Sequence, residues 1–302
     1  MNPDRDDCNE HGSDPLVIEN DADVAKHAAG VQDAKTKGVL AIDMDDVLCN
    51  TNQTIVDMHA DLFPDKANPP ISIDEFEHYL YWHNRGWGTQ EETVDMVGKL
   101  YRAGLMDRPK LLPGAREGLT KLKGMGYSLI VITARSEVQR EGTEAWLEDN
   151  LPDLFDEIHF TGAFNHLIPA THAEHEGHAA KRAVVSHKKR TKHEVMKQTG
   201  AMLLVDDSAE NALAAAKADE PPRVLLFGSY PWNAEIVAPG EAHPHDKMIY
   251  IDCEQCGQLP ARRQRRQARI DQGWLPDNVT RVHDWNAVVQ WIEGHEKGQN
   301  KL

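Results

Sequence analysis

Four aspartates close two apolar runs, and they are the residues of this chain best suited to chemistry. Asp43 and Asp45 lie in Val39-Leu-Ala-Ile-Asp-Met-Asp-Asp-Val-Leu48, and Asp206-Asp207 follow Ala201-Met-Leu-Leu-Val205. On an extended strand, residues two apart turn their side chains the same way, so Asp43 and Asp45 are expected to face one site. Carboxylates brought together repel unless a cation lies between them, and an all-oxygen donor set suits Mg²⁺. The expected metal ligands are therefore Asp43, Asp45, Asp206 and Asp207. One of Asp206 and Asp207 could instead cap the helix that follows, leaving the other for the metal.

A metal held by carboxylates suggests phosphoryl chemistry, which needs groups that neutralise charge on the equatorial phosphate oxygens. Thr133 ends a third apolar run with a hydroxyl, and the amides of Ala134 and Arg135 follow it. Lys192 stands just upstream of the helix leading to Asp206 and could supply a fixed positive charge; Lys188, Lys189 and Lys197 compete for that role on spacing alone.

Elements must carry these residues to one place. Gly38 to Leu48, Tyr127 to Thr133, Ala201 to Val205 and Arg223 to Phe227 read as buried strands. Helix-like segments separate them at Ala115 to Lys123, Lys192 to Gln198 and Glu210 to Ala218. This alternation predicts an α/β fold, a doubly wound parallel sheet with ligands gathered beyond the carboxyl ends of the strands. The interval between the first two strands exceeds what one crossover helix requires. It predicts a helical cap over residues 53–110, with helices at Gln53 to Leu62, Ile73 to Tyr81 and Gln90 to Ala103. The core is then 37–52 and 111–302, with irregular insertions near 165–187 and 238–273, and residues 1–36 form a polar arm.

Asp43-Met-Asp-Asp-Val-Leu48, Ile132-Thr-Ala-Arg135, Thr191-Lys192 and Val205-Asp-Asp-Ser208, in that order, resemble the four motifs of the haloacid dehalogenase superfamily. Leu225-Leu-Phe-Gly-Ser-Tyr-Pro-Trp-Asn233 is similar to a strand of its 5′-nucleotidase-like branch. The resemblance implies a Mg²⁺-dependent phosphomonoesterase with a nucleotide among its expected substrates. It makes Asp43 the nucleophile and Asp45 the proton donor and acceptor. Asp43, the Asp45 carbonyl and Asp206 would hold the metal with Asp207 in support, and Thr133, Ala134 and Lys192 would hold the phosphate. Asp46 departs from the pattern, which usually has glycine there. Transfer to an acceptor other than water, and a non-catalytic regulatory protein retaining the fold, are the competing readings.

The formal charge of −16, from 33 Lys and Arg against 49 Asp and Glu, argues against nucleic-acid backbone or anionic membrane as partner. A small phosphoester is the expected partner, with the oligomeric state open. Cys8, Cys49, Cys253 and Cys256 are too few for a disulfide scaffold, no stretch is long and apolar enough to span a bilayer, and an intracellular protein is expected. Cys253-Glu-Gln-Cys256 after His243 and His245 has half the pattern of a zinc knuckle. The aromatics between Phe76 and Trp87 suit cap packing first and base stacking second. Ala261-Arg-Arg-Gln-Arg-Arg-Gln-Ala-Arg269 reads as a solvated helix face.

Overall fold

The computed structural model describes residues 36–162 and 190–297. The arm expected over 1–36, Thr36 apart, and the His-rich stretch 165–187 lie outside the described residues, as do Lys188 and Lys189. Six strands form one sheet: β1 (Val39–Ile42), β2 (Ser128–Thr133), β3 (Glu157–Phe160), β4 (Ala201–Asp206), β5 (Arg223–Phe227) and β6 (Val279–Val282). Their order is β3-β2-β1-β4-β5-β6, and every neighbouring pair is parallel. The helices are α1 (Thr51–Leu62), α2 (Gln90–Arg102), α3 (Ala115–Gly124), α4 (Arg140–Asn150), α5 (Lys192–Thr199), α6 (Ala209–Ala216), α7 (Tyr250–Gln255), α8 (Leu259–Gln272) and α9 (Trp285–Lys297).

The strands read as continuous apolar runs because helices cover both faces. Leu40, Ile42, Leu129, Val131, Leu203 and Val205 pack on one side with Leu119 and Leu122 of α3 and Trp285, Val288 and Ile292 of α9. Their strand neighbours Ala41, Ile130, Ile132 and Leu204 turn to the other side, against Val195 and Met196 of α5 and Ala212 and Ala215 of α6. The two-residue period of a strand sorts one apolar run onto two interfaces, each full burial contributing about 1.5–3 kcal/mol. The doubly wound α/β fold expected from the sequence is the one observed. Chain order changes direction between β1 and β4, the position where open parallel sheets bind ligands.

Several expectations are corrected. The first strand stops at Ile42, because amides of Leu48 and Cys49 return to the Met44 carbonyl and fold the chain into a tight turn. No helix spans Ile73 to Tyr81. Two single 3₁₀ turns, Ile73–Glu75 and Tyr81–His83, flank an irregular link whose polar groups are taken by the buried Asn84 side chain. That side chain accepts from the His78 amide and donates to the carbonyls of His78, Leu80 and Tyr81. The stretch 238–273, expected to be irregular, contains α7 and α8. Strands β3 and β6, both at sheet edges, and helices α4 and α9 were not anticipated.

Between β1 and β2, α1, the two 3₁₀ turns and α2 build their own apolar cluster, with Ile55, Phe76, Trp87, Met96 and Leu100 buried in it. Trp232, from just beyond β5, completes this cluster. The aromatics of this segment are mainly core: Trp87 and Phe76 are fully buried.

Candidate active site

The carboxyl ends of β1 and β4 bring the expected aspartates together. Asp43 follows β1 directly, and its amide donates to the Val205 carbonyl, locking the two strand ends in register. One carboxylate oxygen of Asp43 accepts the Met44 amide at 2.7 Å, and the other lies 2.6 Å from Lys192 Nζ. The same ammonium lies 2.7 Å from Asp206 Oδ2, so it bridges the two strand-end acids. Lys192 is 6 % exposed although it opens α5, whereas its rival Lys197 is exposed. Thr191 caps that helix through the Glu194 amide, which fixes the start of the turn carrying Lys192.

Asp43, Asp206 and Asp207 each offer an oxygen within 4.8 Å of the others, and they are the only such metal-competent group among the described residues. All three are buried. Burial pushes the Asp43 carboxyl up to about 7 even against Lys192, and burial with the charges of Asp46 and Asp43 pushes Asp207 up as well. Ionised together, the three buried acids would outweigh the one ammonium that bridges Asp43 and Asp206, and a divalent cation with oxygen preference fits that deficit. Fixed partners aim the remaining lone pairs. Asp206 accepts from the Ser208 amide and from Asn211 Nδ2 of α6, and Asp207 accepts the Trp232 indole N–H at 2.6 Å.

Asp45 departs from the expectation. Because the strand has already ended, its carboxylate leaves the group of three and meets Arg135 Nη2 at 2.7 Å and Nε at 3.1 Å, with Thr51 Oγ1 at 2.5 Å. Burial works to raise this carboxyl, but Arg135 and the hydrogen bonds outweigh it and hold Asp45 below the usual range. It remains the most exposed of these acids, with 26 % of its side chain accessible, on the wall of a cavity. Thr133 is fully buried and its hydroxyl accepts the Arg135 amide. Ala134 and Arg135 line the same cavity as Asp45.

Asp46 adopts a left-handed backbone, φ 58°, which explains why a glycine would serve there. Asp is among the few other residues that tolerate this region. Its carboxylate accepts the Asn52 amide at the start of α1, and burial raises it well above the ordinary value. It is a turn residue and helix-end acceptor that lines the cavity.

Four supporting residues were missed as site residues: Arg135 as the partner of Asp45, Asn211, Trp232 and Asn233. The last two sit in the Pro-Trp-Asn run noted in the sequence. Asn233 Nδ2 donates to both the Asp207 and Phe227 carbonyls, tying the β4 end to the β5 end, while Arg281 of β6 donates to its Oδ1. Among the described residues the zinc reading finds no such convergence: Cys253 is buried on α7, and Cys256 Sγ donates to the Cys253 carbonyl. The arginine run is a solvated face only in part: Arg263, Gln264, Gln267 and Ala268 are exposed, but Arg262 and Arg269 are buried. Arg262 donates to the His83 and Met248 carbonyls and to His78 Nε2, and Arg269 pairs with Glu235 and Asp246. Among the described residues no helix is long and apolar enough to cross a membrane.

The chain has similar proteins among those of known sequence and known structure. "Putative nucleotidase OB0422" of Oceanobacillus iheyensis is 30 % identical over 128 residues, which span 40 % of this chain and 63 % of that relative. Similar solved structures include a HAD family hydrolase from Deinococcus radiodurans, 15 % identical, covering 88 % of this chain and 98 % of that one at a TM-score of 0.47. A haloacid dehalogenase-like protein from Agrobacterium tumefaciens is 14 % identical over 86 % of this chain and 99 % of that one, with a TM-score of 0.48. The family model described as haloacid dehalogenase-like hydrolase matches residues 38–219, more than half of the sequence and all four aspartates. The chain belongs to the haloacid dehalogenase-like hydrolases.

Proposed function

We propose that this chain is a Mg²⁺-dependent phosphomonoester hydrolase that works through an aspartyl-phosphate on Asp43 and accepts nucleotides. The observation that carries the reading is the Lys192 bridge between Asp43 and Asp206 at the β1/β4 crevice, with Asp45 set apart on the cavity wall. Asp43 Oδ attacks phosphorus as the bond to the leaving oxygen breaks, and that oxygen takes its proton from Asp45, which carries one only once the bound ester loosens its pairing with Arg135. Water then attacks the aspartyl-phosphate, Asp45 takes its proton, and inorganic phosphate leaves with Asp43 restored. Asp43, Asp206 and Asp207 would hold Mg²⁺, which when bound screens the phosphoryl charge from the acids. Lys192, Thr133 and the Ala134 amide are assigned to the phosphoryl oxygens. The segment 53–110 serves as the cap, and its cavity with Asp45 at one end receives the leaving group.

Measured phosphate release from phenyl phosphate with added Mg²⁺ tests this. Asp43→Asn should lower turnover by on the order of 10⁴-fold or more with the thermal transition preserved. Undiminished Mg²⁺-dependent release from that variant would remove the mechanism.

A further inference from the structure

The cavity beside Asp45, about 130 Å³, is walled largely by aromatic and aliphatic side chains from the segment between β1 and β2. Its polar groups are nearly all committed to the protein. Arg135 spends Nε and Nη2 on Asp45 and Nη1 on Thr143. Gln139 accepts from Ser136 and donates to the Tyr101 hydroxyl, Thr93 donates to the Trp87 carbonyl, and Thr51 donates to Asp45. Asn52 differs. Its backbone N–H goes to Asp46, but its side-chain amide has no hydrogen-bond partner among the described residues. The amide is also not sealed off: its residue is 5 % exposed, and it lines this cavity. Tyr81 and Trp82 likewise present polar atoms without a protein partner, but of these three only Asn52 offers its donor and its acceptor on separate atoms of one planar group.

Charge narrows the occupant further. Among the described residues Arg135 is the single cation lining the cavity, and it is already paired with Asp45, while Asp46 and Asp207 line it as well. A second phosphate on the leaving group would meet carboxylates with no cation to receive it.

We infer that Asn52 is a specificity-determining residue, which reads an adjacent donor and acceptor on a neutral, ring-bearing leaving group, and that esters with a second phosphate there are refused. The inference rests on the phosphomonoesterase reading above and adds what that reading leaves open. A site built to hydrogen-bond a polar edge discriminates strongly against ligands lacking it, because its own group is then left unpaired.

The test compares kcat/KM for the common nucleoside 5′-monophosphates, the matching 3′,5′-bisphosphates and phenyl phosphate, with Mg²⁺ present, in the full chain and in Asn52→Leu. The wild type should favour at least one monophosphate over phenyl phosphate and over its bisphosphate by about tenfold or more. Asn52→Leu should cut the monophosphate-to-phenyl-phosphate ratio by about tenfold. Should Asn52→Leu unfold, Asn52→Ala carries the same comparison. An equal loss on both substrates would make Asn52 structural and overturn the proposal, as would bisphosphates handled as well as monophosphates. Turnover of phenyl phosphate with no nucleotide turned over would overturn it, and the nucleotide part of that reading, while leaving phosphomonoester hydrolysis at Asp43 standing. Absence of release from every ester would instead bring down that reading, and this one with it.

Discussion

Lys192 and Arg262 are both nearly buried cations, and they do opposite work. Lys192 sits between two carboxylates at the crevice of the sheet, where negative charge exceeds positive. Arg262 has no carboxylate within ion-pair distance among the described residues; its guanidinium is spent on two backbone carbonyls and a histidine nitrogen. It fastens α8 to the irregular link between residues 78 and 83. The contrast teaches that burial alone does not mark a functional charge. What separates the two is whether the surrounding groups are left electrostatically unbalanced or are fully satisfied.

Removing each cation sharpens that contrast. Lys192→Met should lower kcat/KM for a phosphate ester by about 10²–10³-fold, the scale for losing one preorganised charge at a reacting group. Steady-state assays alongside thermal unfolding check this. If activity survives, the Lys192 bridge is structural and the comparison collapses. Arg262→Met should act on stability, costing about 2–4 kcal/mol as two carbonyls and His78 lose their donor. Chemical denaturation measures that loss, and turnover of phenyl phosphate well below the transition should change by less than about threefold.

Acid should reach the Arg262 region through its histidines. Burial, aided by the Arg262 charge, holds His78 down to about 3, and burial then Arg262 hold His83 down to about 4. A histidine whose folded value is depressed binds its proton more readily when unfolded. The stabilisation is therefore complete above about 6.5 and is lost as pH falls from there toward 3 to 4. The slope is at most about 1.4 kcal/mol per pH unit for each group. Unfolding free energies followed from pH 7 to pH 5 in wild type and in His78→Gln should separate by about 1–2 kcal/mol, and parallel curves would sink the assignment. The smallest effect is expected at Asp46. Asp46→Gly relieves a left-handed residue but loses the acceptor at the start of α1, so stability should move by less than about 1 kcal/mol. A larger loss would mean that Asp46 holds the turn more firmly than its hydrogen bonds indicate.

The sheet was legible because its central strands are buried on both faces and so carry uninterrupted apolar runs. The edge strand Glu157-Ile-His-Phe160 has half that pattern, and it was missed for that reason. Asp43, Asp206 and Asp207 were legible as strand-end acids. The course of Asp45 was not, since it depends on a turn of five residues that only hydrogen bonding to Met44 reveals. Lys192 could not be chosen from its neighbours by spacing, because the choice lies in which helix position the sheet buries. Arg262 and Arg269 were misread because a charged run has the same composition whether its long side chains are solvated or spent on buried acceptors. Asn52 carried no signal at all: an amide at a helix start reads as a cap until its unspent side chain is seen against the cavity.

Trp232 and Asn233 lie beyond residue 219, where the match to the family model ends. A fragment drawn to that boundary would keep every motif aspartate yet lose the indole that holds Asp207, the amide that ties β4 to β5, and a wall of the aromatic cluster. The unit that can be moved, shortened or fused without loss is therefore longer than the unit that is recognised, and it closes only after β6, whose Arg281 secures Asn233.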